Sequence, residues 1–224
     1  MIAESNKCAR CGLVNFAIND ICRRCGATLR PERPIEEEAP RQVETERGFG
    51  RKLLWVFGMT LTLLFVCFMS LLATSERLNF DQRRTVAEAI AVLEQAGFSR
   101  EAFVLGNLVN YRSTDNWWNL YIGHQSAYAA TNFPFEVVTL YPAFFEFAVD
   151  DTERAAILLH ESYHLFGAGE EAALQGAWVE KERLGWSEDQ YSQTRVWKNT
   201  REWTAGSVPA LFKCGADERS DCVQ

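Results

Sequence analysis

One apolar stretch dominates the hydropathy pattern of the chain. From Leu53 to Ser75 no charged residue occurs, and Leu53 to Ala73 reads LLWVFGMTLTLLFVCFMSLLA. At about 1.5 Å per residue this run makes roughly 32 Å of helix, against a bilayer core of about 30 Å. A buried helix of a soluble protein normally carries a polar stripe, which is missing here. The apolar part of a signal peptide is shorter and begins near the N-terminus. Residues 53–75 are therefore expected to form a single transmembrane helix. The segment before it, PERPIEEEAPRQVETERGFG, is rich in charge, Pro and Gly, and reads as a flexible linker over 31–52.

Beyond the span the period changes. Val86, Ala89, Ile90, Leu93 and Ala96 recur at helical spacing, so a helix is expected from Asp81 to the stop at Gly97. Phe135 to Tyr141 is β-branched and aromatic, and reads as a strand. Pro134 and Pro142 at its ends suit an edge position. Asp150 and Glu153 have the spacing of a helix cap, and the helix should run through AAILLHESYHLF to Gly167. Further helices are expected at about 170–184 and 188–202. Trp117, Trp118, Trp178, Trp186, Trp197 and Trp203 are read as core, with a cleft wall or the membrane surface as the alternative for the Trp117–Trp118 pair. Together these elements predict an α+β fold with a small mixed sheet over residues 76–224.

Charge divides the chain. Residues 1–75 carry 10 Lys/Arg against 8 Asp/Glu, which leaves 13 against 22 for residues 76–224. The acidic second part argues against nucleic acid as a partner. Arg41, Arg47, Arg51 and Lys52 before the span outnumber Arg77, Arg83 and Arg84 after it. That places the N-terminus in the cytoplasm and the C-terminal domain outside it.

The seven cysteines agree with that orientation. Cys8-Ala9-Arg10-Cys11-Gly12 and Cys22-Arg23-Arg24-Cys25-Gly26 are two CxxCG turns. Each directs two thiolates at one point, and together they supply a closed tetrahedral site for a structural zinc ion. A fragment this small needs its metal to fold. The pattern resembles the zinc-ribbon family over residues 1–30, with a rubredoxin-like iron site as the rival. Arg10, Arg23, Arg24 and Arg30 form a solvated face, and a cytosolic protein is the partner expected for this head. Cys214 and Cys222, around a polar loop, read as a disulfide of an oxidising compartment; two free thiols are the alternative.

The chemistry is concentrated in His160-Glu161-Ser162-Tyr163-His164. Residues four apart share a helix face, so both imidazoles can reach one ion, while Glu161, about 100° around the axis, can reach a water on it. Uncharged flanks suit a helix beneath a cleft. The segment resembles the zincin metallopeptidases over residues 151–175. That resemblance implies a catalytic zinc ion held by His160, His164 and a third, acidic ligand. Gly167 and Glu170 in HESYHLFGAGE, and the Glu170-Glu171-Ala172-Ala173 run, select Glu170, with Glu171 as the alternative. The metzincin branch carries a methionine downstream of its motif, and none follows here, which points to a compact Glu-type zincin.

The resemblance further implies that Glu161 is the general base, acting on a water that zinc acidifies to a pKa of about 7. Tyr191, Arg195 and His124 are the candidate donors to an oxyanion. The expected function is a membrane-anchored zinc-dependent hydrolase acting on a protein or peptide. The alternative is an inactive metal-binding receptor or adaptor signalling through the cytosolic head.

Overall fold

A computed structural model describes residues 5–29, 47–123, 128–214 and 220–223. The chain divides into two units, Met1–Leu54 and Trp55–Gln224.

In the first unit, strands β1 (Ser5–Lys7) and β2 (Val14–Phe16) pair antiparallel. Each CxxCG sequence closes as a turn: Gly12 N–H donates to Cys8 O and Gly26 N–H to Cys22 O, both at 2.9 Å. Both glycines have positive φ, 67° and 71°, which lets the chain double back behind the sulfurs. Only Cys8, Asn15 and Cys22 are buried among residues 6–29. There is no apolar core here.

Helix α1 (Arg47–Ala73) contains an apolar length, Gly50–Ala73, long enough to cross a membrane, with its side chains largely exposed. It begins inside the expected linker, because a long apolar helix propagates through neighbours that would not nucleate one. It also stops at Ala73, short of the expected Ser75.

The second unit continues with α2 (Phe80–Gln95) and α3 (Ser99–Asn107), β3 (Asn110–Arg112), α4 (Trp117–Ile122), β4 (Ala129–Asn132) and β5 (Val137–Leu140). It ends with α5 (Pro142–Glu146), α6 (Asp151–Leu165), α7 (Glu170–Val179), α8 (Glu188–Tyr191), α9 (Arg195–Ser207) and a 3-10 turn at Pro209–Phe212. The class is α+β, as expected. Val86, Ala89 and Leu93 of α2 are buried, and α2 lies against α6. Asp150 caps α6, accepting from Glu153 N at 3.0 Å, and Gly167 ends the turn after it with φ 84°.

The sheet is mixed, in the order β3–β5–β4, with β5 parallel to β3 and antiparallel to β4. This corrects the edge position expected for residues 135–141. The prolines do not interrupt the ladder: Pro134 sits in the turn before β5 and Pro142 opens α5, so the four residues between are free to pair on both sides. The edge strand beside α6 is β4. Two expected helices are also revised. The one at 170–184 ends at Val179, because the chain turns to bring Trp186 into the core, with Trp186 N–H closing on Lys181 O at 2.9 Å. The one at 188–202 is broken before Thr194, whose hydroxyl accepts from Trp197 N at 3.2 Å and so starts α9 anew.

Trp178, Trp186 and Trp197 pack edge-to-face and tilted against one another in the core. The core reading fails for the other three tryptophans: Trp203, Trp117 and Trp118 are partly exposed, the last two on α4. Cys214 and Cys222 form a disulfide. It fastens a C-terminal clasp in which Asp221 accepts from Trp178 Nε1 at 3.0 Å and pairs with the buried Lys181 at 3.1 Å.

Candidate metal centres

In the cysteine head, the Sγ atoms of Cys8 and Cys25 are 3.6 Å apart and those of Cys11 and Cys22 are 3.5 Å apart. All four sulfurs lie within 4.8 Å of one another. A tetrahedron with bonds of about 2.3 Å has sulfur–sulfur edges of about 3.8 Å. The cluster fits a metal ion such as zinc, with every coordination position filled by sulfur. Asn15 is the outer partner: its Nδ2 donates to Leu13 O at 3.0 Å and lies 3.6 Å from Cys22 Sγ.

The second cluster grows from α6. One turn of helix separates His160 from His164, and their Nε2 atoms approach to 3.1 Å. Helix α6 ends at the Gly167 turn, which returns the chain so that α7 opens on Glu170. Its Oε2 lies 3.1 Å from His164 Nε2, and its Oε1 lies 3.6 Å from His160 Nε2. Ligand bonds of about 2.1 Å in a tetrahedron imply separations of about 3.4 Å. His160, His164 and Glu170 could therefore hold one ion, leaving a fourth direction open. Glu171, the alternative, does not join the cluster: it is exposed, one helical position away. The same turn places Ala168 O 2.9 Å from His164 Nδ1, which selects Nε2 as the free ring nitrogen.

The cluster shifts the titration of its own members. Burial opposes charge on His164, but hydrogen bonds to Glu170 and Ala168 O, with the Glu161 and Glu170 carboxylates nearby, outweigh it and raise its pKa to about 9. The hydrogen bond to His164 lowers the pKa of Glu170, against the desolvation that opposes it. A proton on His164 thus offsets the charge of the two carboxylates beside it.

Glu161 is buried and faces the same cleft, where the Thr131 hydroxyl donates to its Oε2 at 2.7 Å. The cleft holds about 340 Å³ and runs from His160, His164 and Glu170 past β4 towards Tyr128, Trp186 and Trp203. Among the described lining residues Tyr128 is the one further titratable side chain, so the remaining wall is neutral and largely apolar.

Two of the expected oxyanion donors are elsewhere. Tyr191 is buried with its hydroxyl donating to Asp150 Oδ2 at 2.7 Å, and Arg195 stacks on the Phe147 ring at 3.7 Å. Neither lines the cleft. His124 falls outside the described residues. Thr131 and Tyr128 carry no local signal, since Tyr128-Ala-Ala-Thr-Asn lacks the β-branched run that marks a strand. Tyr128 lines the cleft, and its hydroxyl accepts from Asn199 Nδ2 at 2.8 Å, so its own proton remains available. Burial raises its pKa, against the hydrogen bond from Asn199.

Comparison with family models, curated proteins and solved structures finds no match to this chain.

Proposed function

We propose that the chain is a single-pass membrane protein whose second unit is a zinc-dependent hydrolase of zincin type, cleaving a protein or peptide. The observation that carries this reading is the joint placement of two imidazoles and a carboxylate on one point, with a second, buried carboxylate beside them on a cleft wall. A structural pair of histidines would need neither the convergence nor the open direction. Zinc held by His160, His164 and Glu170 would act as a Lewis acid on a substrate carbonyl and on water.

The chain's own residues then divide the work. Glu161 takes the proton of the attacking water and returns it to the leaving amine. Thr131 holds the Glu161 carboxylate from the edge strand and fixes its aim. Tyr128 is the phenolic donor in the cleft lining, kept protonated by burial. Strand β4 offers its free edge to an extended peptide.

The cysteine head takes no part in this chemistry, because four sulfurs leave no position for substrate. Its thiolates suit a reducing compartment and the Cys214–Cys222 disulfide an oxidising one. With Arg41, Arg47, Arg51 and Lys52 ahead of the apolar run against Arg77, Arg83 and Arg84 beyond it, this supports a cytosolic head and an extracytoplasmic cleft.

The test is metal content and peptide hydrolysis of the purified full chain beside two variants. His160→Ala should lose one of two zinc ions. Glu161→Gln should keep both and lose about 10²–10⁴ in turnover. Undiminished turnover in Glu161→Gln would overturn Glu161 as the base, and absence of hydrolysis by the native chain with both zinc ions bound would overturn the hydrolase and favour a metal-binding adaptor.

A further inference from the structure

Helix α4 is built inside out. Its sequence is Trp-Trp-Asn-Leu-Tyr-Ile, and its one strongly polar residue, Asn119, is buried, while all five apolar side chains are exposed, Leu120 at 70% and Tyr121 at 79%. Asn119 is tied inward: its Nδ2 donates to Thr139 Oγ1 at 3.1 Å, and its Oδ1 accepts from Asn132 Nδ2 at 2.7 Å. Asn116 caps the helix and donates to Asn132 Oδ1 at 2.8 Å. This network holds the apolar face outward. In water such a face is exposed apolar surface with no compensation.

The position of α4 says what covers it. Trp117 Nε1 donates to Ser70 Oγ at 3.0 Å, and Trp117 N donates to Thr74 Oγ1 at 3.2 Å. Ser70 lies in the last turn of α1, so the indole sits about 4–5 Å short of the end of the apolar run. The turn between β4 and β5 behaves likewise. Phe135 stacks on Phe68, ring centroids 6.5 Å apart, and that contact is deeper by about two residues of helix rise, or roughly 3 Å. Any bilayer that accommodates α1 therefore reaches α4 and this turn. Trp and Tyr are the residues that favour such an interface.

We propose that α4 and the Phe133–Phe135 turn are seated in the headgroup layer of the bilayer, and that the cleft consequently acts on peptide segments lying at the membrane surface. The two halves are joined by Phe133, which is 61% exposed, lines the cleft, and packs beside Gly167 at the metal site. The seating rests on α1 spanning a membrane. The substrate class rests also on the hydrolase reading.

The seating is tested without catalysis. Full-length chain is placed in phosphatidylcholine–phosphatidylglycerol vesicles carrying a nitroxide on the acyl chain near the headgroup, and its tryptophan emission is compared with that of Trp118→Phe. The emission lost in the variant should be the lipid-quenched part, shielded from aqueous iodide. If iodide quenches that part and the lipid nitroxide does not, the seating is wrong.

For the substrate, one peptide is offered free and tethered to the vesicle by an acyl chain. The native chain should cleave the tethered form at least about tenfold faster, by effective concentration. Leu120→Ser/Tyr121→Ser/Ile122→Ser stays anchored by α1, so it should keep the share of that advantage that co-anchoring supplies and lose the share that seating supplies, with its rate on the free peptide unchanged; an undiminished advantage overturns the substrate class. Equal native rates on both forms overturn the substrate class. No cleavage of either peptide overturns the hydrolase and the substrate class together, and the quenching result still decides the seating.

Discussion

In the cysteine head, four sulfurs come from two turns of a fragment in which, among the described residues 6–29, two of those cysteines and Asn15 are buried. In the cleft, two imidazoles and a carboxylate come from helices laid on a continuous core that includes Val138, Leu140, Leu158, Leu159, Trp178 and Trp197. The first site has no vacancy and no scaffold; the second has both. An ion in the head replaces a hydrophobic core, so it is part of the fold. Under the proposed hydrolase reading, an ion in the cleft would be added to a fold that stands already, and would be free to do chemistry. Burial points the same way: Cys8 and Cys22 are almost wholly enclosed, whereas the side chain of Glu170 is 65% exposed.

The sharpest way to break this contrast is to remove metal from the full chain. Chelation should abolish the amide dispersion of residues 5–29, since structural zinc contributes on the order of 10 kcal/mol to such a fragment. The second unit should keep its tryptophan core intact. A head that stays dispersed without metal would contradict the comparison.

Next in size is the clasp. Cys214→Ser/Cys222→Ser removes a cross-link eight residues apart in sequence. It should lower the stability of the second unit by about 2–3 kcal/mol, read from thermal unfolding, with no change in the head. A change below measurement would mean that Asp221 and Lys181 hold the clasp unaided.

Smaller still is Thr131→Val. Losing the hydroxyl that holds Glu161 should lower turnover about tenfold through misplacement, while both zinc ions remain bound. Loss of zinc instead would make Thr131 a support of the metal rather than of the base.

The remaining effect is on pH. In metal-free protein His164 holds its proton more tightly when folded, so its contribution is complete below about 6.5 and is lost as pH rises towards about 9. Glu170, with its pKa lowered, contributes above its ordinary value near 4.5 and loses that contribution on acidification. Stability of metal-free second unit, followed by chemical denaturation, should therefore decline from pH 6.5 to 9. Bound zinc should reverse that slope, since it competes with the His164 proton.

Much of this architecture was written locally in the chain. The CxxCG turns, the apolar run, the Asp150 cap and the Gly167 stop are all signals within a few residues, and each lies where the pattern put it. Glu170 was legible for the same reason, being six residues beyond His164. Pairings over distance were not legible. Strands β3 and β4 span three and four residues and lack a hydrophobic alternation of their own, so the central place of β5 could not be read from its flanking prolines. Tyr191 and Arg195 were drawn to the wrong task because Asp150 and Phe147, their actual partners, lie more than 40 residues away in sequence. Thr131 gave no signal at all.

The turn at Gly167 has a temporal consequence. It confines His160, His164, Glu170 and the orienting Ala168 carbonyl to a single short segment, whereas Thr131 must arrive across a separation of 30 residues to reach Glu161. Closing the short segment costs little chain entropy, and the long one costs more. If the proposed zinc site holds, a nascent domain would capture the ion before the cleft exists, and metallation and maturation would become successive events. Refolding with a zinc-sensitive dye should register uptake ahead of tryptophan burial.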